Sequence, residues 1–564
     1  MSKSFFLSLI LCILFSSEAI SQNFHLKATG ETEVETSIID SISYQKIHID
    51  LNTVKQEVDS LQKKLFQMGY IENEFKTLKK ENDSTYLAFF RLKHIYKDIH
   101  IYYEESFVTK SILQKVSNQV YDNYFVLPFN SIENSLYSIN TQISDLGFPF
   151  SEIQLQDISI KDQNSLQASL ALKESSKKRS IDKIILKGYE KFPKSYLKHY
   201  LKLKRKKTFN LSAIKKKTEV LKELKFASQI KEPEVLFTKD STILYLYLKK
   251  AKSNNFDGFL GFGTNEATSK IDFNGYLNLN LNNNLNTGES FQLVYKSDEN
   301  DQKTFNANLS LPYLFNSPLG AEVGLQIFKK DSSFTTVNQI AKLFYQINPQ
   351  TKIHLGINST QSNSLLSEVN SLPEIQDYKT NMYNLRFTYN KLQNNFLFDK
   401  NLFLALEVGN GKRSFTNTTE NQTLLYVDAF KIFNLNNKNS AYIRINGSGL
   451  FSENYLENEL FRFGGINSIR GFEENSLTAS LYALTNTEYR YQLSNSLYIH
   501  SIIDFAYLEN DLASQKEKLY GFGFGFGLLT KAGLLKFNYA NGKSENQKFK
   551  FSNSKIHLSL TAIF

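Results

Sequence analysis

Cysteine is almost missing from this chain: of its 564 residues only Cys12 is one, and it falls in the first apolar stretch. The rest can hold no disulfide, no thiolate metal site and no cysteine nucleophile. Tryptophan is absent and proline is held to 8 residues. No later segment offers the run of about 20 apolar residues that a spanning helix needs, which excludes a helical membrane protein. Nor is there a His-Glu-x-x-His pair, a Gly-x-Ser-x-Gly elbow or a phosphate-binding loop. The many carboxylates form no pairing that demands acid–base chemistry. The sequence therefore predicts no enzyme, no metal and no cofactor.

What is present begins with an export signal. Lys3 supplies a positive start, residues 5–15 are an almost unbroken apolar run, and Ala19-Ile20-Ser21 resembles a cleavage site before Gln22. Residues 1–21 are read as a signal peptide. A lipoprotein would need a small residue before its cysteine, and Leu11 stands there instead. Aromatics make up 14% of the chain, with 46 Phe and 31 Tyr; alternating strands that face lipid use such numbers naturally. The net charge of +10 fits an anionic membrane surface, since an exported chain rarely meets nucleic acid.

Two regions of different periodicity meet near residue 253. The first mixes helical and strand patterns and contains a repeat. Leu65-Phe66-Gln67-Met68-Gly69-Tyr70, Ile143-Ser144-Asp145-Leu146-Gly147-Phe148 and Leu221-Lys222-Glu223-Leu224-Lys225-Phe226 each end an amphipathic helix. They recur at about 78 residues, which marks tandem modules. In the third module the pattern predicts strands over 181–187, 229–237 and 242–249 and helices over 193–203 and 211–225. In the second, Asn130 and Glu133 predict a capping box for a helix carrying Leu136, Ile139, Ile143 and Leu146, with Gly147 as a left-handed stop. The opening strand of the first module is hard to place before Asp50. The order strand-helix-helix-strand-strand resembles the POTRA module of the periplasm. The basic run 198–207 is either a surface for lipid headgroups or a solvated face.

The second region alternates. Ile271, Phe273, Leu277, Leu279 and Leu281 share one face; so do Phe305, Ala307, Leu309 and Leu311, and again Leu319, Ala321, Val323, Leu325 and Ile327, with polar or small residues between. Sustained over the C-terminal half, this predicts an all-β transmembrane barrel of roughly 16 antiparallel strands. The last strand carries Ile556, Leu558, Leu560, Ala562 and the terminal Phe564 on one face. It closes on a glycine-rich first strand over 256–263, which should pair weakly.

Phe463-Gly464-Gly465-Ile466-Asn467-Ser468-Ile469-Arg470-Gly471-Phe472 is the most informative stretch. It resembles the signature of the outer-membrane protein assembly factor family, of BamA and TamA type, together with the two-partner secretion transporters. The resemblance implies that a long loop folds back into the barrel and docks its Arg-Gly-Phe tip on the inner wall. A lumenal guanidinium needs carboxylates in bidentate geometry. Leu497, Ile499, Ile503 and Phe505 should face lipid, which turns His500 and Asp504 inward; Tyr489 and Tyr491 likewise leave Glu488 and Arg490 inside. Glu488 and Asp504 are thus the expected partners of Arg470, at positions matching the family's. The glycines over 520–527 would leave room for a loop, or mark a tight bend.

These readings give a signal peptide (1–21), α+β POTRA-like modules (22–93, 94–175 and 180–252) and the barrel (254–564). The loop motif is Gly464, Gly465, Ile469, Arg470, Gly471 and Phe472, and the terminal-strand signal Ile556, Leu558, Leu560 and Phe564. The resemblance implies an outer-membrane factor that takes unfolded outer-membrane or secreted proteins through its periplasmic modules and inserts them at the barrel seam. Expected partners are those proteins, outer-membrane lipid and an accessory periplasmic or inner-membrane protein. The alternatives are a two-partner secretion pore, which usually has two modules and a plug helix, and a passive channel.

Overall fold

The computed structural model describes residues 23–563 apart from 106–107, 174–176, 265–270, 298–301, 367–373, 396, 531–532, 549 and 552–553. The signal-peptide reading and Phe564 fall outside the described residues, as do the side chains of 259–274 and 560–563. The chain divides into two compact units, Met1–Ser180 with Lys207–Ala213, and Ile181–Lys206 with Ile214–Phe564.

The first unit holds two α/β modules. One opens on the strand Phe24–Thr29, which buries Leu26 and Ala28 and lies parallel to Thr85–Arg91, itself paired with Glu74–Lys80. That strand is short, and His25 and Lys27 occupy its exposed face, so its sequence signal is faint. Asp50 caps the helix Leu51–Gln67 by accepting from Thr53 N at 2.7 Å, and Val54, Val58, Leu61 and Leu65 form its buried stripe. The other module orders its sheet Gln119–Val120, Tyr124–Pro128, Asp98–Tyr102, Ser165–Leu172, Ile153–Ile160. The expected capping box of Asn130 and Glu133 does not form. The chain enters the helix Ile132–Asp145 through a 3-10 turn, Phe129–Ser131, which makes Ser131 the capping position; its hydroxyl donates back to Pro128 O at 2.8 Å.

Gly69 and Gly147 end equivalent helices at φ +105° and +104°. A Cβ on Gly69 would strike the carbonyl of Tyr96, so both the dihedral and the space call for glycine. The third member of the repeat is Lys225. Its helix, Leu211–Glu219, tightens into the 3-10 turn Val220–Glu223 and leaves through the extended Leu224, so no left-handed residue is required.

In the second unit Lys183–Gly188 runs parallel to Thr242–Lys250, which pairs antiparallel with Ala227–Phe237. The helix expected over 193–203 is only a π-turn, Tyr196–Tyr200, followed by Lys202 at φ +51°. Packing explains this. Tyr196 is buried edge-on against Tyr313 (4.8 Å between centroids) and donates to Gly288 O at 3.2 Å. Tyr189 donates to Asn286 Oδ1 at 2.8 Å, and His199 binds Asn316 O at 2.7 Å. Lys198 and Lys202 of the basic run reach the carbonyls of Asn316 and Ile347. Glu223 accepts from Gln350 and Lys225 pairs with Asp399 at 3.7 Å. The module is thus fixed to four successive barrel turns.

Among the described residues sixteen strands close the barrel, from Asn255–Thr264 to Ser554–Ile563, each antiparallel to the next. Its outer face exposes Leu343, Leu355, Tyr383, Val408, Ile503, Phe524, Ile556 and Leu558, the apolar belt that lipid requires. The inner face is polar and in places fully paired: Lys342 and Glu407 meet at 2.7 Å.

Candidate functional site

The chain between the eleventh strand, Asn439–Phe451, and the twelfth, Leu481–Gln492, leaves the barrel end away from the third module and turns back inside. A short ladder, Phe461–Phe463 with Leu477–Ala479, stiffens it. Ile469, fully buried, joins Phe463, Leu484, Ala506, Leu508 and Leu519, with Phe472 packed against them. Inward-facing leucines on three neighbouring strands thus make a dry seat in a polar lumen, and burying the loop's apolar side chains there holds it.

Arg470 lies beside that seat and is 5% exposed. Its Nε donates to Asp504 Oδ2 at 2.8 Å and its Nη2 to Asp504 Oδ1 at 2.6 Å, while its backbone N–H reaches Oδ2 at 3.0 Å. Nη1 donates to Glu488, whose other oxygen accepts from Arg490 Nε at 2.7 Å. Two cations and two carboxylates therefore close a neutral network. The fork geometry suits the guanidinium, and its low-dielectric surroundings strengthen each charge-assisted bond.

Glycines make the space. A Cβ on Gly521 would meet the carbonyl of Arg470, and one on Gly542 the backbone of Gly471. Gly471 itself sits at φ +92°, where a side chain would be strained and would collide with Gly542. Phe522 and Phe524 alternate with the bare positions and point outward. The loop backbone is also held directly: Asn486 Nδ2 donates to Ser468 O and Arg444 Nη1 to Asn467 O, both at 2.7 Å.

The root of the loop has a second anchor that sequence reasoning missed. Arg413 is wholly buried, donates to Glu459 and Glu420, and reaches Asn454 O at 3.2 Å. Asn458 adds bonds to Ser362 Oγ and Gln376 O, each 2.8 Å. Alternation along Lys400–Phe415 turns Glu407 and Arg413 inward, so a lone buried arginine on that strand was the available signal. Ile556 and Leu558 lie elsewhere, exposed on the outer face of the last strand; the side chain of Leu560 is outside the described residues.

Residues 278–556 match the family model of the Omp85 superfamily domain. The barrel is an Omp85 domain. Among solved structures, that of BamA from Haemophilus ducreyi lacking POTRA domains 1-3 superposes with a TM-score of 0.52 at 13% identity, covering 82% of this chain and 99% of that one. CdiB from Acinetobacter baumannii gives 0.50 at 15%, covering 91% and 97%. CdiB from Escherichia coli gives 0.51 at 12%, covering 90% and 97%. At such identities the likeness speaks for the fold: POTRA-like modules followed by the sixteen-strand Omp85 barrel. A search of curated protein sequences returns no match.

Proposed function

We propose that this chain is an outer-membrane assembly factor, whose modules receive unfolded outer-membrane or secreted proteins in the periplasm and whose barrel inserts them into lipid. The seam carries the proposal. Among the described residues the first and last strands pair at Asn255–Ile563 and Phe256–Ala562 alone. The last strand's other edge is paired from Leu534–Thr561 to Asn541–Ser554. Beyond Phe256, two strand edges therefore face each other with no ladder between them. In lipid, unpaired backbone groups are costly, so such edges favour any incoming strand that satisfies them. Apolar burial and backbone pairing of the substrate then drive insertion with no nucleotide.

The competing reading is export of one protein through the lumen. The space beside the loop, a cavity of about 800 Å³ lined by Arg470, Glu488 and His500 among others, favours it. Reconstitution separates the two: the protein in liposomes, with the rate at which an added unfolded barrel protein becomes protease-resistant as the readout. Acceleration over empty liposomes that Arg470→Ala and removal of residues 22–253 both diminish is expected. No acceleration, with ion conductance present, would overturn assembly in favour of a pore.

A further inference from the structure

We propose that Glu473 and Glu474, just past the Arg-Gly-Phe tip, staple the seam from inside, one carboxylate to each side of it. The inference rests on the reading that the seam opens. Lys555 of the last strand donates to Glu473 Oε1 at 2.7 Å. Lys296 of the third strand, Ser290–Ser297, lies 3.4 Å from Glu474 Oε1. The third strand is laddered to the second over Gly275–Asn282, and the second to the first from Asn255–Asn280 to Thr264–Ile271. Two adjacent loop residues thus join the last strand to the sheet that begins on the seam's other side.

Position along the barrel completes the argument. Asn255–Ile563 and Phe256–Ala562 hold the seam at the end where the third module is attached. Lys555 and Lys296 stand toward the opposite end of their strands, where the seam has no ladder. Backbone pairing closes one end and the carboxylates close the other.

The loop is shaped to present this pair. Gly464 takes φ +115°, and a Cβ there would meet the carbonyl of Glu473; Gly465 takes φ +93°, and a Cβ there would meet the carboxylate of Glu474. The N–H of Gly464 donates to Ser468 Oγ at 2.7 Å and that of Gly465 to Ile469 O at 3.1 Å, which fixes the turn. The two glycines make room for the acid pair, and Arg470 ties the same turn to the wall. All four charged groups of the staple line the cavity beside the seam. Reached by water, they respond to salt more than a buried pair would.

The test places nitroxide labels at Ile556 on the outer face of the last strand and at Leu293 on the third, whose neighbours Gln292 and Val294 line the lumen. The full mature chain is reconstituted in liposomes without substrate and the label separation measured by pulsed electron resonance. Glu473→Lys and Lys555→Glu should each enlarge a longer-distance population about threefold, and the two together should restore the parental distribution. Glu474→Gln, which keeps the shape of the turn, should shift it the same way. Raising salt from about 0.05 M to about 1 M should widen the distribution of the parent and of the double reversal alike. Unchanged distances in the single reversals, or a double reversal that fails to restore them, would overturn the staple. Because no substrate is present, a staple that behaves as expected while substrate folding is not accelerated would sink only the assembly reading.

Discussion

Asp504 receives three bonds from Arg470, two from the guanidinium and one from the arginine's own backbone N–H. One carboxylate thus fixes both the side chain and the chain direction of the loop tip, and with 1% of its surface exposed it has no water to turn to.

Asp504→Asn should therefore cost about 3 kcal/mol, the lower end for breaking a buried pair, because Glu488 remains to share the charge. The loss is read as a lower melting temperature in detergent. Arg470→Lys should cost nearly as much, since an ammonium cannot fork onto both oxygens. An unchanged melt in either variant would mean that the loop is held by its apolar seat alone.

Gly542→Ala should push the tip off the wall, because its Cβ meets the backbone of Gly471, which cannot retreat. Limited proteolysis of the 463–476 segment should become several-fold faster. Gly324→Ala is the control: its nearest neighbour, Ile340 Cβ, stands 3.3 Å away and far from the loop tip, so a shift of a few tenths of an ångström suffices, and cleavage of 463–476 should match the parent.

Glu459→Gln leaves the wholly buried Arg413 with Glu420 as its one remaining carboxylate partner among the described residues. A stability loss of about 3 kcal/mol is expected, with faster hydrogen exchange over 452–462 and little change over 466–472. Equal loosening of both segments would show that the two anchors act as one.

Gly288→Ala should free the third module from the barrel turns, since its Cβ would meet the ring of Tyr196. Faster hydrogen exchange across Lys183–Gly188 measures it. Tyr196→Phe removes one bond and should cost about 1 kcal/mol. Burial pushes the Tyr196 hydroxyl well above its usual range, so it stays a donor and its bond to Gly288 should not change between pH 6 and pH 9.

The barrel was legible because lipid and lumen impose opposite chemistry on successive residues: Ile499, Ile503 and Phe505 could lie only outside, and His500 and Asp504 only inside. The modules were legible from the recurrence of Gly69 and Gly147. Tertiary partners left weaker marks. Whether residues 193–203 extend as a helix depends on Tyr196 finding Gly288 and Tyr313, residues about a hundred positions away. The anchor at Arg413 joins a strand to a loop 46 positions later, and no local pattern announces that pairing. The capping box at Asn130 failed because a single 3-10 turn moved the helix start.

The four turns that hold the third module belong to the second through ninth strands. The footing is one-sided. The tenth to sixteenth strands, which carry Glu488, Asp504 and one edge of the seam, have no such attachment beneath them among the described residues. Under the proposed assembly role, a polypeptide handed up from the third module would reach the barrel along the arc that the module leaves unattached. It would meet the docked loop and the free edge of the last strand before it met the far wall.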